Sequence, residues 1–140
     1  MNTLQFSISI SAPKETVWET LWSDEGYGKW TAAFMEGSYA KTDWKEGSKI
    51  LFLTPDGDGM FSIIDKNRPH HEMTFNHQGE VKKGVEEPKS WAGAKESYHL
   101  QEADGKTDLT VFVDASGEFE EYAKKTFPKA LELVKQLSEK

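Results

Sequence analysis

The chain has 140 residues, a net charge of -7, no cysteine and 12% aromatic residues within a hydrophobic content of 36%. That length gives one domain, residues 1–140, with room for a real core, and the acidic balance excludes the clustered Lys and Arg of a nucleic-acid footprint. The lack of cysteine excludes disulfides, thiolate nucleophiles and cysteine zinc sites.

Leu4, Phe6, Ile8 and Ile10 alternate with Gln5, Ser7, Ser9 and Ser11, the period of a half-buried strand. The pattern then changes to Val17, Trp18, Leu21 and Trp22, one apolar helical stripe. Pro13 fits its first turn, with Ser11 or Ala12 as cap. This helix should end between Ser23 and Gly26, and a short second helix or irregular turn should run from Tyr27 to Phe34. From Met35 onward, turn residues recur at hairpin spacing, with Asp56-Gly57 and Asp104-Gly105 the sharpest. Strands are expected at Lys49–Thr54, Met60–Asp65, Glu72–Gln78, Trp91–Glu102 and Thr107–Ala115, joined as an antiparallel sheet. Gly79 to Lys89 carries two glycines, a proline and many charges without periodicity, and reads as a mobile loop. Phe119, Tyr122, Ala123, Phe127, Ala130, Leu131, Val134 and Leu137 recur at three- and four-residue steps in a terminal helix, about Glu118 to Glu139. Pro128 predicts a kink or restart near Phe127. No run reaches the length of a membrane-spanning helix, and Met1 leads directly into strand residues without a signal pattern. A cytoplasmic location without membrane insertion is therefore expected.

Several short motifs occur in a telling order: Ser11-Ala12-Pro13 followed by Val17-Trp18 and Leu21; Trp30; Glu46-Gly47-Ser48; Tyr98-His99-Leu100; Thr107-Asp108-Leu109-Thr110; and Phe127-Pro128 with Leu131. On these the chain resembles the START-like superfamily, also called SRPBCC or birch-pollen-allergen-like. Within it, the chain is most similar to stand-alone bacterial domains related to the C-terminal domain of the activator of heat-shock protein 90 ATPase. The resemblance implies an α+β helix-grip fold, in which a curved antiparallel sheet of six or seven strands wraps around the long C-terminal helix and two short helices follow the first strand. It also implies an apolar cavity between sheet and helix, able to bind a small hydrophobic or amphipathic molecule. The additional N-terminal domain of the eukaryotic co-chaperone is not in this sequence, so ATPase activation is not expected. Glu46-Gly47-Ser48 stands where many relatives have paired glycines, which predicts a less sharply bent strand start.

Strand parity and the helix stripe nominate the cavity walls: Phe6, Ile8, Phe52, Met73, Phe75, Tyr98, Val111, Tyr122 and Phe127, joined by Trp30 from the cap. Phe52 is ambiguous, because Ile50 to Leu53 is apolar at every position. His77 shares the parity of Met73 and Phe75, and Glu96 that of Tyr98. Facing inward, the two would orient a ligand or form an acid–base pair; the blander expectation places both at the sheet rim, solvated or hydrogen-bonded. His70-His71-Glu72 does not supply the three placed donors of a catalytic zinc site and reads as a polar turn after Pro69. Asp56, Asp58 and Gly59 are too closely spaced for a calcium loop. Trp91, on the opposite phase from Tyr98, is expected on the outer sheet face or at its edge.

The expected function is non-enzymatic ligand binding, with no catalytic residues, metal or cofactor, by a monomer or homodimer. The cap from Gly26 to Phe34 and the loop from Gly79 to Lys89 would be its gates. The alternatives are a cyclase- or dehydratase-type enzyme using His77 and Glu96, and a chaperone-associated interaction module with a filled core.

Overall fold

The architecture comes from a computed structural model that describes residues Met1–Lys140. The elements are strand β1 (Asn2–Ile10), helices α1 (Lys14–Trp22) and α2 (Asp24–Trp30), a 3-10 turn (Thr31–Ala33), strands β2 (Tyr39–Lys41), β3 (Lys49–Leu53), β4 (Gly59–Arg68), β5 (Glu72–Lys82), β6 (Val85–Pro88), β7 (Ala94–Ala103) and β8 (Lys106–Ala115), and helix α3 (Gly117–Ser138). The antiparallel sheet runs β1-β8-β7-β5-β4-β3-β2, with β6 paired to β5 off that path. The expected six or seven strands are thus seven in the continuous path and an eighth beside it.

Alternation in the first and last strands sets the inner face. Leu109 and Val111 are fully buried and Val113 nearly so, while Leu4, Phe6 and Ile8 on β1 are half-buried against the same core. α3 lays Ala123, Phe127, Ala130, Leu131 and Val134 on that face, its 3.6-residue period keeping one stripe in register with the sheet. Two register shifts in the β4–β5 pair, at Phe61/Ser62 and Ile64/Lys66, add the local bend that curves a sheet around a helix. No helix is long and apolar enough to cross a membrane.

The structure corrects five local expectations. Pro13 is the N-cap of α1 rather than its first turn, since its extended ψ of 157° cannot belong to a helix. α2 begins at Asp24, ahead of Tyr27, because Ser23 ends α1 and also caps α2, its hydroxyl accepting from the Gly26 N–H at 3.1 Å. The stretch from Gly79 to Lys89 is a hairpin rather than a loop. Its turn residues Lys83 and Gly84 both have positive φ, 50° and 81°, the geometry of a tight two-residue connection. β6 is exposed along its length, so it carries no alternation of buried and polar residues. Trp91 lies in the turn before β7, half-buried, rather than opening that strand. α3 runs unbroken through Pro128, whose ring is on the exposed side of the helix, so only one backbone bond is forgone.

Candidate functional site

The inner face of the sheet, the α2 cap and the first half of α3 do not close completely on one another. Between them lies a hollow of about 270 Å³. β3 contributes Phe52, β5 Phe75, and β7 Glu96 and Tyr98. The cap contributes Tyr27, Trp30, Thr31 and Phe34, and α3 contributes Phe119, Tyr122 and Phe127. Rigid rings meeting edge to face leave this space: Phe52 and Phe75 meet at 5.0 Å, Phe34 and Phe127 at 5.0 Å, and Trp30 and Tyr98 at 6.0 Å between centroids.

The cap is held by specific bonds. Trp30 Nε1–H donates to the Leu21 carbonyl at 3.0 Å, and the Tyr122 hydroxyl donates to the Phe34 carbonyl at 2.9 Å, tying α3 to the cap. Met35, Phe119 and Tyr122, all on the wall, are also the large apolar side chains most open to solvent there, at 53%, 45% and 43% exposure. They mark the mouth.

One polar chain crosses the apolar wall. The Ser62 hydroxyl is 2.6 Å from His77 Nδ1, His77 Nε2 is 2.9 Å from Glu96 Oε1, and the Tyr98 hydroxyl donates to Glu96 Oε2. Every donor finds an acceptor when the His77 proton sits on Nε2 and is given to Glu96, leaving Nδ1 to accept from Ser62. Both Glu96 oxygens then accept, as an ionised carboxylate does. Burial pushes the Tyr98 phenol well above its ordinary range, and the neighbouring Glu96 charge pushes it further. Tyr27 is raised by the same two causes in the same order. Both phenols therefore stay neutral, and Tyr98 donates its proton to the hydrogen bond with Glu96.

Of the residues nominated from sequence, Trp30, Phe52, Phe75, Glu96, Tyr98, Tyr122 and Phe127 surround the hollow. Phe6 stands behind the wall, stacked on Phe127 at 5.1 Å. Ile8 packs against the core and Val111 is wholly inside it. Met73 borders a smaller hollow of about 190 Å³ beside Trp18, Trp22 and Trp44. His77 is behind Glu96 and faces an adjacent space of about 320 Å³, which shares Met60 and Phe119 with the first. His77 is thus buried at 6% exposure rather than solvated at the rim. His70 has a positive φ of 69° and packs its ring edge-on to Trp18.

Trp22, Tyr27, Thr31, Phe34, Met35, Ser38, Leu53, Thr54, Met60 and Phe119 also border the hollow and were not nominated. Trp22 and Phe119 lie on helical stripes already visible in the sequence. Met35, Ser38 and Thr54 lie in turns, where no periodicity points. Ser62 was hidden by the register shift at its own position.

The sequence profile described as "Activator of Hsp90 ATPase homolog 1-like protein" matches residues 11–138. No curated protein matches the chain. Among solved structures, the fold is similar to that of the Aha1 dimer from Colwellia psychrerythraea, with 22% identity, 99% of this chain and 97% of that one covered, and a TM-score of 0.78. It is also similar to protein MLL2253 from Mesorhizobium loti, with 15% identity, 97% and 96% coverage and a TM-score of 0.75. A third, DynU16 of the dynemicin biosynthetic locus, has 15% identity, 97% and 46% coverage and a TM-score of 0.72.

Proposed function

The chain belongs to the activator of Hsp90 ATPase homolog 1-like family, and on that footing we propose that it binds a small hydrophobic or amphipathic molecule in the hollow between sheet, cap and α3. The observation that supports this reading is a largely aromatic wall with one hydrogen-bonded carboxylate set into it. Ligand sites have that composition, apolar lining for affinity and a few polar groups for orientation. The volume of about 270 Å³ is just below the usual span for drug-sized ligands, which favours a bicyclic or smaller body. Such a ligand buries on the order of 200 Å² and gains roughly 5 kcal/mol from apolar burial, for a Kd between about millimolar and micromolar.

A thermal-shift screen with flavonoids, polyketides, fatty acids and sterols tests the proposal, because a ligand selective for the folded state raises Tm by mass action. Small planar members should raise it at millimolar concentration. A flat response across the panel would favour the chaperone-associated module instead.

A second reading draws on the contact between His77 and Glu96. A carboxylate at the hollow surface with an imidazole behind it has the components for proton transfer to and from a bound ligand. Chemical change of a ligand that binds, lost in Glu96→Gln, would move the assignment from binder to enzyme. As for assembly, the Colwellia relative is a dimer; light scattering on this chain decides between monomer and homodimer.

A further inference from the structure

The charge inside the hollow says more about its occupant than the shape does. Glu96 is the one acidic side chain on the lining, and no Lys, Arg or His shares that surface. The adjacent space adds Glu80 and Asp114 behind the wall, with His77 the sole basic side chain there. Glu96 is held by two hydrogen bonds, one from the Tyr98 hydroxyl and one shared with His77, and no Lys or Arg pairs with it. Each carboxylate oxygen accepts one bond within the protein and has capacity for another. The Glu96 side chain keeps 17% of its surface exposed, so that capacity is reachable from the hollow.

The rings work in the same direction. Trp30, Tyr27, Tyr98, Phe52 and Phe75 surround the space, and aromatic faces carry the negative side of the ring quadrupole. A cation that reaches Glu96 is stabilised by the carboxylate, and one seated over a ring face gains from that face as well. An anion meets the Glu96 charge as repulsion and finds no basic side chain on the lining to compensate its lost hydration.

Resting on the ligand-binding reading above, we propose that the hollow selects a flat apolar body bearing an ammonium group, which donates to Glu96, and discriminates against carboxylates of the same shape. Fatty acids and aryl acids are thereby poor ligands, and arylalkylamines are the chemical class to search. The ammonium takes up the free acceptor capacity of Glu96 while the ring system stacks within the aromatic wall.

Three matched probes test this by isothermal titration at neutral pH: tryptamine, uncharged 3-ethylindole and indole-3-propionate. A hydrogen bond to a charged partner in a partly dry site corresponds to about ten- to a hundredfold in affinity. Tryptamine should therefore bind at least about tenfold more tightly than 3-ethylindole, and indole-3-propionate more weakly than either. In Glu96→Gln the tryptamine advantage should collapse while 3-ethylindole binding persists. Glu132→Gln, which changes net charge equally at an exposed site on α3, should leave the order intact, separating the local carboxylate from the overall charge of -7. Equal affinities for the three probes, or a preference for the propionate, would overturn the charge selection while leaving a ligand-binding hollow in place. Loss of the preference in Glu132→Gln would overturn it too. Failure of all three to bind at millimolar concentration would overturn both this inference and the function it rests on. Should Glu96→Gln not fold, the wild-type order of affinities decides alone.

Discussion

Tyr98→Phe isolates the hydrogen bond at the centre of the polar chain. Tyr98 is 1% exposed and its hydroxyl donates to Glu96, so the substitution removes one oxygen and leaves the edge-to-face contacts of the ring with Trp22 and Trp30 in place. A hydrogen bond to a charged partner is worth about 1.5–3 kcal/mol net. Glu96 keeps its bond from His77 and some solvent access, which puts the expected loss near 2 kcal/mol. For a domain of this length that is a fall in Tm of about 6–8 °C. Urea unfolding followed by circular dichroism gives the same quantity with m unchanged. The decisive version is a double-mutant cycle with Glu96→Gln. Against a neutral amide the hydroxyl is worth about 1 kcal/mol, so the two substitutions should couple by about 1 kcal/mol. An equal cost for Tyr98→Phe in both backgrounds, or a cost within about 0.5 kcal/mol of zero, would refute the claim that this phenol supports an ionised carboxylate.

Phe127→Ala removes a ring that is 2% exposed and packs against Phe6 and Phe34; it should cost about 3–5 kcal/mol, measured by urea unfolding. Gly59→Ala places a Cβ 1.7 Å from the Phe52 carbonyl oxygen, so β3 must move from β4; a loss of about 2–4 kcal/mol and faster hydrogen exchange in Lys49–Leu53 should accompany weaker probe binding, and unchanged exchange would contradict the close approach. The raised Tyr27 and Tyr98 phenols make stability pH-dependent on the alkaline side. The folded chain holds protons that the unfolded chain releases near pH 10, so their contribution to stability is full below that value and is lost progressively as pH rises above it toward the raised folded-state range. The phenolate absorbance of these two residues should appear together with the loss of circular dichroism, not ahead of it.

The fold was legible wherever one face is dry and the other wet. β8 shows Leu109, Val111 and Val113 buried between half-buried or exposed neighbours, and α3 shows an equally regular stripe, so periodicity gave both elements and their inward residues. The β6 hairpin was illegible because an exposed ribbon has no buried face to advertise it, and its turn needs a positive φ at Lys83 as well as at Gly84, the first a residue type with no strong turn preference. Much of the hollow followed from parity: Phe75 and Tyr98 point where their strands put them, whereas Phe52, in a run apolar at every position, had no parity to place it and is on the lining. Parity also put His77 and Glu96 on the inner face. It did not show that a register shift turns Ser62 toward His77, because period-two counting fails across a bulge. Nor could parity separate the surface of the hollow from its support. Phe6 and Val111 face the same interior as Phe127, yet depth depends on how far α3 and the cap stand from each strand.

Uptake of a ligand by the space beside Trp30, proposed above, is read out by titrating the chain with 3-ethylindole and following the indole N–H resonances of the five tryptophans. The Trp30 signal, from within the hollow, should shift progressively and saturably, while that of Trp18, which faces the separate smaller hollow, should stay in place. Saturable shifts confined to Trp18 or Trp91, with Trp30 unmoved, would contradict it.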